Sequence, residues 1–340
     1  MIEERTYDAQ KRFDVVGVGN AIVDVIAHVG DDFIEINRLS RGAMTLIDAA
    51  KATELYSAMP AAIEASGGSA ANTMAGVAGF GGTVAYIGKV RQDQLGEVFR
   101  HDIRAAGVEY AQPLAQTGPP TARCLILVTP DAERTMNTFL GISSLLEPDD
   151  VDGELVAAGR IIYCEGYLWD VDSAKAAIRK AMKIGKANGA KVALTLSDTF
   201  CVDRHRAEFL GLVDNDVDIV FANESEICAL YETDDVDRAI AAVRGHAEVT
   251  CVTRSAKGSV LVTADGVQDV PAWSTGRVVD STGAGDLFAA GFLYGYTSGR
   301  DLFTSAWFGS VAAGECISHT GPRPECSLAE LILQHPAFKP

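Results

Sequence analysis

The feature that most constrains this 340-residue chain is a regular alternation over residues 160–255. RIIYCEG reads as a strand, SAKAAIRKAMKIGKANG as a helix stopping at Gly189, and KVALTLS as a strand. HRAEFLGLVDN follows as a helix, VDIVFANE as a strand, DVDRAIAAVRGH as a helix and VTCVTRS as a strand. Strands that alternate with helices in this way predict a parallel, doubly wound sheet with helices on both faces. Apart from Asp218, VDIVF is apolar, as is CLILV further upstream, in keeping with strands covered on both sides.

The first half fits the same architecture less regularly. Residues 13–19 (FDVVGVG) read as a buried strand ending in glycine, and 22–29 (IVDVIAHV) as a second strand. The polar stretch DDFIEINRLSRG and then MTLID follow. Residues 49–65 alternate like a helix. Gly67-Gly68-Ser69 breaks the chain before a helix of small residues at 70–80, which is suited to close packing. TVAYIGKV (83–90) reads as a strand, and residues 94–106 as a helix with Gly107 beyond its end. TARCLILVT (121–129) and RTMNTFL (134–140) flank Pro130-Asp131 and predict a β-hairpin. The expectation is one large α/β/α unit spanning 1–340, since no linker, repeat or low-complexity segment divides it. Segments near 22–48 and 119–141 are placed either in a small β lid or as extensions of the main sheet.

Composition bears on what such a fold does. The net charge of −17 and pI of about 4.7 repel phosphate backbones and argue against nucleic acid as a partner. Seven widely spaced cysteines with no C-x-x-C predict reduced, mostly buried thiols, with neither a disulfide framework nor a zinc site. The six histidines show no metal spacing. The polar opening MIEERTYDAQKRFD carries no apolar core of a signal peptide, and no apolar run approaches 18 residues. A cytoplasmic protein without membrane contact, monomeric or homodimeric, is expected.

The segment richest in chemistry is Asp280-Ser281-Thr282-Gly283-Ala284-Gly285-Asp286, preceded by the strand-like GRVVD and followed by the apolar LFAAGFLYGY. Glycines at a helix entry leave backbone N–H groups pointing outward, where the helix dipole adds positive potential. Such a spot stabilises the negative charge spread over a phosphoryl group in transfer. An aspartate beside it can take a proton from an attacking hydroxyl, or it can simply cap the helix. No G-x-x-x-x-G-K-[ST] occurs, which excludes a P-loop. Gly17-Val18-Gly19 begins like a dinucleotide fingerprint, but Ile22 stands where its third glycine belongs.

Together these residues resemble the ribokinase-like family, the carbohydrate kinases of the phosphofructokinase-B type. DSTGAGDLF (280–288) is similar to its C-terminal signature. GGSAANT (67–73), with Gly81-Gly82, YIGKV (86–90), Asp93 and Gly96, is similar to its N-terminal one. NESE (223–226) resembles its N-x-x-E element. Softer likenesses point to the adenosine-kinase branch: GNAIVD (19–24), RTMNTFL (134–140), EGYL (165–168), LTLSDTF (194–200) and VDIVFANE (217–224). One departure is Ser255 in Thr253-Arg254-Ser255-Ala256-Lys257-Gly258, where the family often has glycine.

The resemblance implies a ribokinase-like α/β/α sandwich and a set of roles. Asp286 is expected as general base, and the backbone of Gly283, Ala284 and Gly285 as an anion hole. Asn20, Asp24, Gly68 and Asn72 are expected to hold acceptor hydroxyls; a carboxylate such as Asp24 accepts two at once. Arg134 would approach the phosphates from the lid, unless it is merely solvated there. Tyr167 would stack on a base, unless it only packs the core. Asn223, Thr253 and Gly258 would border ATP, and Asn223 with Glu226 would organise Mg²⁺ through water. Asp280 and Ser281 would lie beside a monovalent cation such as K⁺. The implied reaction is transfer of the γ-phosphoryl group of ATP to the 5′-hydroxyl of adenosine, giving AMP and ADP. Ribose or another sugar stands as an alternative acceptor, and a non-catalytic binding protein of the same fold as an alternative class.

Overall fold

The computed structural model describes residues 11–131, 133–274 and 276–334. The chain opens with β1 (Phe13–Val18), β2 (Ile22–His28), α1 (Asp31–Ile36), β3 (Met44–Leu46), α2 (Ala49–Ala58) and β4 (Ile63–Gly67). It continues with α3 (Ser69–Gly79), β5 (Val84–Ile87), α4 (Gln94–Ala105), β6 (Ala122–Val128), β7 (Arg134–Phe139) and α5 (Gly153–Ala157). The alternating half gives β8 (Gly159–Glu165), α6 (Asp172–Ala187), β9 (Lys191–Thr195), α7 (Thr199–Asn215) and β10 (Ile219–Asn223). Then come α8 (Glu224–Leu230), α9 (Val236–Val243), β11 (Val249–Thr253), β12 (Ser259–Val262) and β13 (Val267–Val270). The described chain closes with α10 (Ala284–Thr297), α11 (Leu302–Cys316) and α12 (Leu328–Leu333).

Eight strands form the main sheet in the order β13-β12-β11-β10-β9-β8-β1-β5. From β5 to β11 every pairing is parallel, while β12 and β13 turn back antiparallel at one edge. The two faces are read off by alternation along each strand. Ile161, Tyr163, Ala193, Ile219 and Phe221 pack on one side with α3, α10 and α11. Ile162, Cys164, Val192, Leu194 and Val220 pack on the other with α6, α7, α8 and α9. This is the expected ribokinase-like α/β/α sandwich.

The irregular segments make a separate five-stranded sheet, β3-β7-β6-β2-β4, rather than extending the main one. The β6–β7 hairpin pairs as expected, Cys124 opposite Thr138. Its fifth strand, β4, falls outside the expected segments, in a stretch read as helix to residue 65. Pro60 is the physical reason: it disfavours helical backbone at the residue before it, and Met59 turns extended with ψ 145°. The chain then pairs along β2, Asp24 opposite Ala65. Other readings shift as well. DDFIEI is α1, and α7 begins at Thr199, with a non-helical break at His205. GRVVD is not a strand; Val279 and Asp280 donate instead to Ile317 O beyond the end of α11.

The small-residue helix packs closely, as read. A Cβ on Gly76 of α3 would stand 2.6 Å from the Cβ of Ala290 on α10. Between α10 and α11 the approach is closer still, since a Cβ on Gly291 would lie 2.4 Å from Phe308 O. All seven cysteines are free, with five of them buried. No helix among the described residues is long and apolar enough to cross a membrane. Most of the polar opening, residues 1–10, lies outside the described residues.

Candidate active site

Glu165 at the carboxyl end of β8 and Glu226 just beyond β10 lie close enough to Asp286, at the amino end of α10, to feel its charge. Gly283 precedes that helix with φ 79°, in the left-handed region, and the space a Cβ would need is filled by Pro322 at 2.6 Å. Of the three expected backbone donors, Ala284 N–H is spent on Ser281 O at 3.2 Å. The N–H groups of Gly283 and Gly285, and that of Asp286 beside them, find no acceptor among the described residues, and the space beside Gly285 is open. The dipole and these donors make an anion site there.

Asp286 stands in the first turn of α10. Its Oδ1 accepts from Ser69 Oγ (2.6 Å) and its Oδ2 from Asn72 Nδ2 (3.1 Å). Both donors sit in the opening turns of α3. Asn72 Oδ1 in turn accepts from Arg323 Nε at 3.0 Å. Burial pushes the Asp286 carboxyl up to about 6, while Ser69, Asn72 and the Arg323 charge hold it down. Sequence reasoning missed Ser69 and Arg323. Ser69 had a signal, its place directly after the double glycine; Arg323 had none.

The expected acceptor residues divide into two groups. Asn20 is buried and occupied: its backbone N–H and Nδ2 both donate to Glu165 Oε1 at 2.7 Å, and its Oδ1 accepts from Ser143 Oγ at 2.8 Å. Gly68 caps α3 with φ 99° and without a side chain, where a Cβ would strike Asn20 O at 2.2 Å. Glu165, also missed, supplies that absent cap by accepting from Ala70 N–H at 2.9 Å. Burial pushes Glu165 up to about 7 against those donated hydrogen bonds. Asn20 and Gly68 thus shape the floor, whereas Asp24 and Asn72 present polar atoms beside Asp286.

Asp24 lies on the face of the second sheet that carries Cys124 and Thr138. Burial pushes its carboxyl up to about 7, offset first by Arg323 and then by Arg134. Around it that face carries an apolar cluster of Ile22, Ile26, Cys124, Ile126 and Met136, with Thr138 and Arg134 on the same face. A cavity of about 320 Å³ adjoins it, lined by Leu46, Thr138, Phe139 and Leu140 among others. Arg134 pairs with Asp280 at 2.8 Å, the side chains 8% and 5% exposed. Asp280 also accepts from Thr282 N–H and Gly321 N–H. The expected place for a monovalent cation at Asp280 and Ser281 thus already holds a guanidinium. Tyr167, just past β8, donates its hydroxyl to Ser197 O at 3.1 Å, which fixes its ring.

On the nucleotide side, Asn223 and Thr253 stand opposite each other at the ends of β10 and β11. Asn223 and Glu226 form a reciprocal cap on α8, with bonds of 2.6 to 3.0 Å. Burial pushes Glu226 up to about 7, the Asn223 N–H lowers it, and the carboxylates of Asp198 and Asp286 raise it further. Both Glu226 oxygens thus accept from Asn223, and no group of three or more metal-ligating side chains occurs among the described residues, so any divalent cation here would be held chiefly through water. Gly258 lies at the far end of the loop, tucked against Val270. Ser255 adopts φ 51°, the conformation glycine takes most easily, so the departure leaves the loop's path intact.

A helix entry with unpaired backbone N–H groups, a flanking aspartate and a second sheet beside them, on a ribokinase-like fold, are the arrangement of an ATP-dependent small-molecule kinase. The chain belongs to the pfkB family of carbohydrate kinases, whose sequence profile matches residues 42–328. It is 29% identical to the adenosine kinase of Saccharomyces cerevisiae over 91% of this chain and 96% of that one. It is 26% identical to the 5-dehydro-2-deoxygluconokinase of Bacillus subtilis over 97% of both. Among solved structures, adenosine kinase from Sinorhizobium meliloti superposes with a TM-score of 0.88 at 53% identity, covering 95% of this chain and 99% of that one. A probable sugar kinase from Rhizobium etli gives 0.89 at 50% identity, covering 95% and 98%.

Proposed function

We propose that this kinase transfers the γ-phosphoryl group of ATP to the 5′-hydroxyl of adenosine, within one domain whose second sheet is the lid. The observation that carries the acceptor is the apolar cluster around Asp24 with its adjoining cavity. A free sugar needs polar partners on every edge, and an apolar wall leaves them unpaired. A nucleoside needs such partners only along its ribose, which Asp24 and Asn72 supply, and offers a flat base to the wall. Tyr167 offers that base an aromatic face from the main-sheet side.

In this reading Asp286 takes the proton of the acceptor hydroxyl, held in place by Ser69 and Asn72. The N–H groups of Gly285 and Asp286 stabilise charge on the moving phosphoryl group. Asn223 and Glu226 orient the waters of Mg²⁺, which when bound neutralises charge on the nucleotide's phosphates. Thr253 and the turn ending at Gly258 border the nucleotide. Free, mostly buried thiols suit a cytoplasmic location.

The test is kcat/KM for adenosine, inosine, ribose and fructose on the parent, Asp24→Ala and Tyr167→Ala proteins. Adenosine leads on the parent. Asp24→Ala weakens every polyol, and Tyr167→Ala weakens nucleosides by about 1–3 kcal/mol while sparing free sugars. A parent that prefers ribose or fructose overturns the nucleoside reading in favour of a sugar kinase.

A further inference from the structure

We propose that Arg323 is a positioning residue for Asp286: it fixes the side-chain amide of Asn72 so that its NH₂ group, and not its oxygen, faces the carboxylate. The inference rests on the reading of Asp286 as the base.

Arg323 stands in the loop between α11 and α12, between Pro322 and Pro324. Pro322 fills the space beside Gly283, so the loop is pinned to the entry of α10. The guanidinium is anchored on its other side, where Nη2 donates to Ser66 O (2.8 Å) and Ser66 Oγ (3.0 Å). Ser66 is held in turn, its N–H and Oγ donating to Asp102 Oδ2 at 2.7 and 2.6 Å. From that fixed position Arg323 Nε reaches Asn72 Oδ1 at 3.0 Å.

An amide has an acceptor at one end and donors at the other, whereas a guanidinium has donors only. Asn72 must therefore turn its oxygen to Arg323, which leaves Nδ2 toward Asp286 Oδ2 at 3.1 Å. Without the guanidinium the amide gains freedom to rotate, and its oxygen then opposes the carboxylate. The Asp286 oxygen that Ser69 does not hold would lose its partner.

Charge acts in the same direction. The titratable groups that reach Asp286 are Asp24 on β2, Tyr163 and Glu165 on β8, Tyr167 after it, Glu226 on α8 and Cys316 on α11. None of these adds positive charge; Arg323 does, and it favours the ionised forms of both Asp286 and Asp24.

The experiment is a carboxyl ¹³C NMR titration of Asp286 in the full-length protein, with the resonance assigned through Asp286→Asn. Parent, Arg323→Gln, Asn72→Ala and the double variant are compared. Arg323→Gln is expected to raise the Asp286 midpoint by about one pH unit, the usual effect of losing a nearby opposite charge. The double variant should shift by less than the sum of the two singles, because Arg323 acts partly through Asn72. The acid limb of kcat/KM should move upward with the midpoint while the KM for ATP stays put. If Arg323→Gln does not fold, Arg323→Lys, which keeps the charge without the fork, and Ser66→Ala, which cuts one anchor, each raise the midpoint by a smaller amount. An unmoved midpoint in the folded variants, or strictly additive shifts, overturns the proposal. Its failure is separable from that of the base reading: the midpoint needs no turnover, whereas near-normal kcat in Asp286→Asn removes the base and leaves the titration standing.

Discussion

Asp286 meets two demands that pull against each other. A base must be ionised at working pH, yet a site that excludes water resists ionisation. Burial raises its carboxyl, and Ser69 on one oxygen, Asn72 on the other and Arg323 behind Asn72 hold the rise to about 6, low enough to be charged at neutrality and high enough to take a proton. Two outcomes follow. Asp286→Asn should lower kcat by about 10²–10⁴-fold with KM for the acceptor little changed. The parent's kcat/KM should fall below about pH 6, because protonation there removes the base; a profile flat down to pH 5 would mean that Asp286 only caps α10. At this scale the sequence was legible where chemistry is written into a local pattern. Asp286, Asn72 and Asp24 stand in recognisable runs, and the fold brings them near one another. Arg323 and Glu165 do not stand out, because what they do depends on partners 251 and 145 residues away along the chain. Asn20 was visible in its run, but its side chain serves Glu165, a fact that only the fold discloses.

Between elements, the firmest contact near the site is that of α10 on α11. Gly291 sits where a Cβ would meet Phe308 O at 2.4 Å and Gly309 N at 2.5 Å, while Gly309 answers with Phe288 O at 2.5 Å. These are backbone atoms and cannot swing aside as a flexible side chain could. Gly291→Ala should therefore force the helices apart and cost about 1–3 kcal/mol, the usual range for overpacking. Thermal melting is the measurement, and an unchanged or raised Tm would show that the pair yields freely. The elements themselves were legible wherever period and length agreed, above all from β8 to β11. They were lost where a neighbour decides the conformation. β4 is a strand because β2 offers it an edge, and Val279 leaves extended pairing because Ile317 O takes its N–H. The helices after the signature motif carry apolar residues on most faces and so show little of the one-sided periodicity that marks a surface helix.

Over the whole molecule, the site gathers carboxyls that hold protons more tightly when folded than when unfolded. Asp24, Glu165 and Glu226 rise to about 7 and Asp286 to about 6, burial leading in each. The carboxyls shifted the other way, among them Asp131, Asp170 and Glu208, take up protons only in stronger acid. Between about pH 5 and about pH 7 the folded chain thus binds more protons than the unfolded one, and stability falls as pH rises. The protein without nucleotide should melt several degrees lower at pH 8 than at pH 5.5, and the net charge of −17 works in the same direction. Calorimetry across that span decides it, and a melting temperature that climbs with pH would refute the account. One contact ties the second sheet to the segment that leads into α10. Arg134 and Asp280 gain attraction from their pairing but give up hydration to make it, and for a buried pair the two come close to cancelling. That pair then contributes position more than force: it fixes where the start of β7 lies against the segment leading into α10. Removing either partner alone would leave the other charge buried without compensation, so the position would be lost together with the pair.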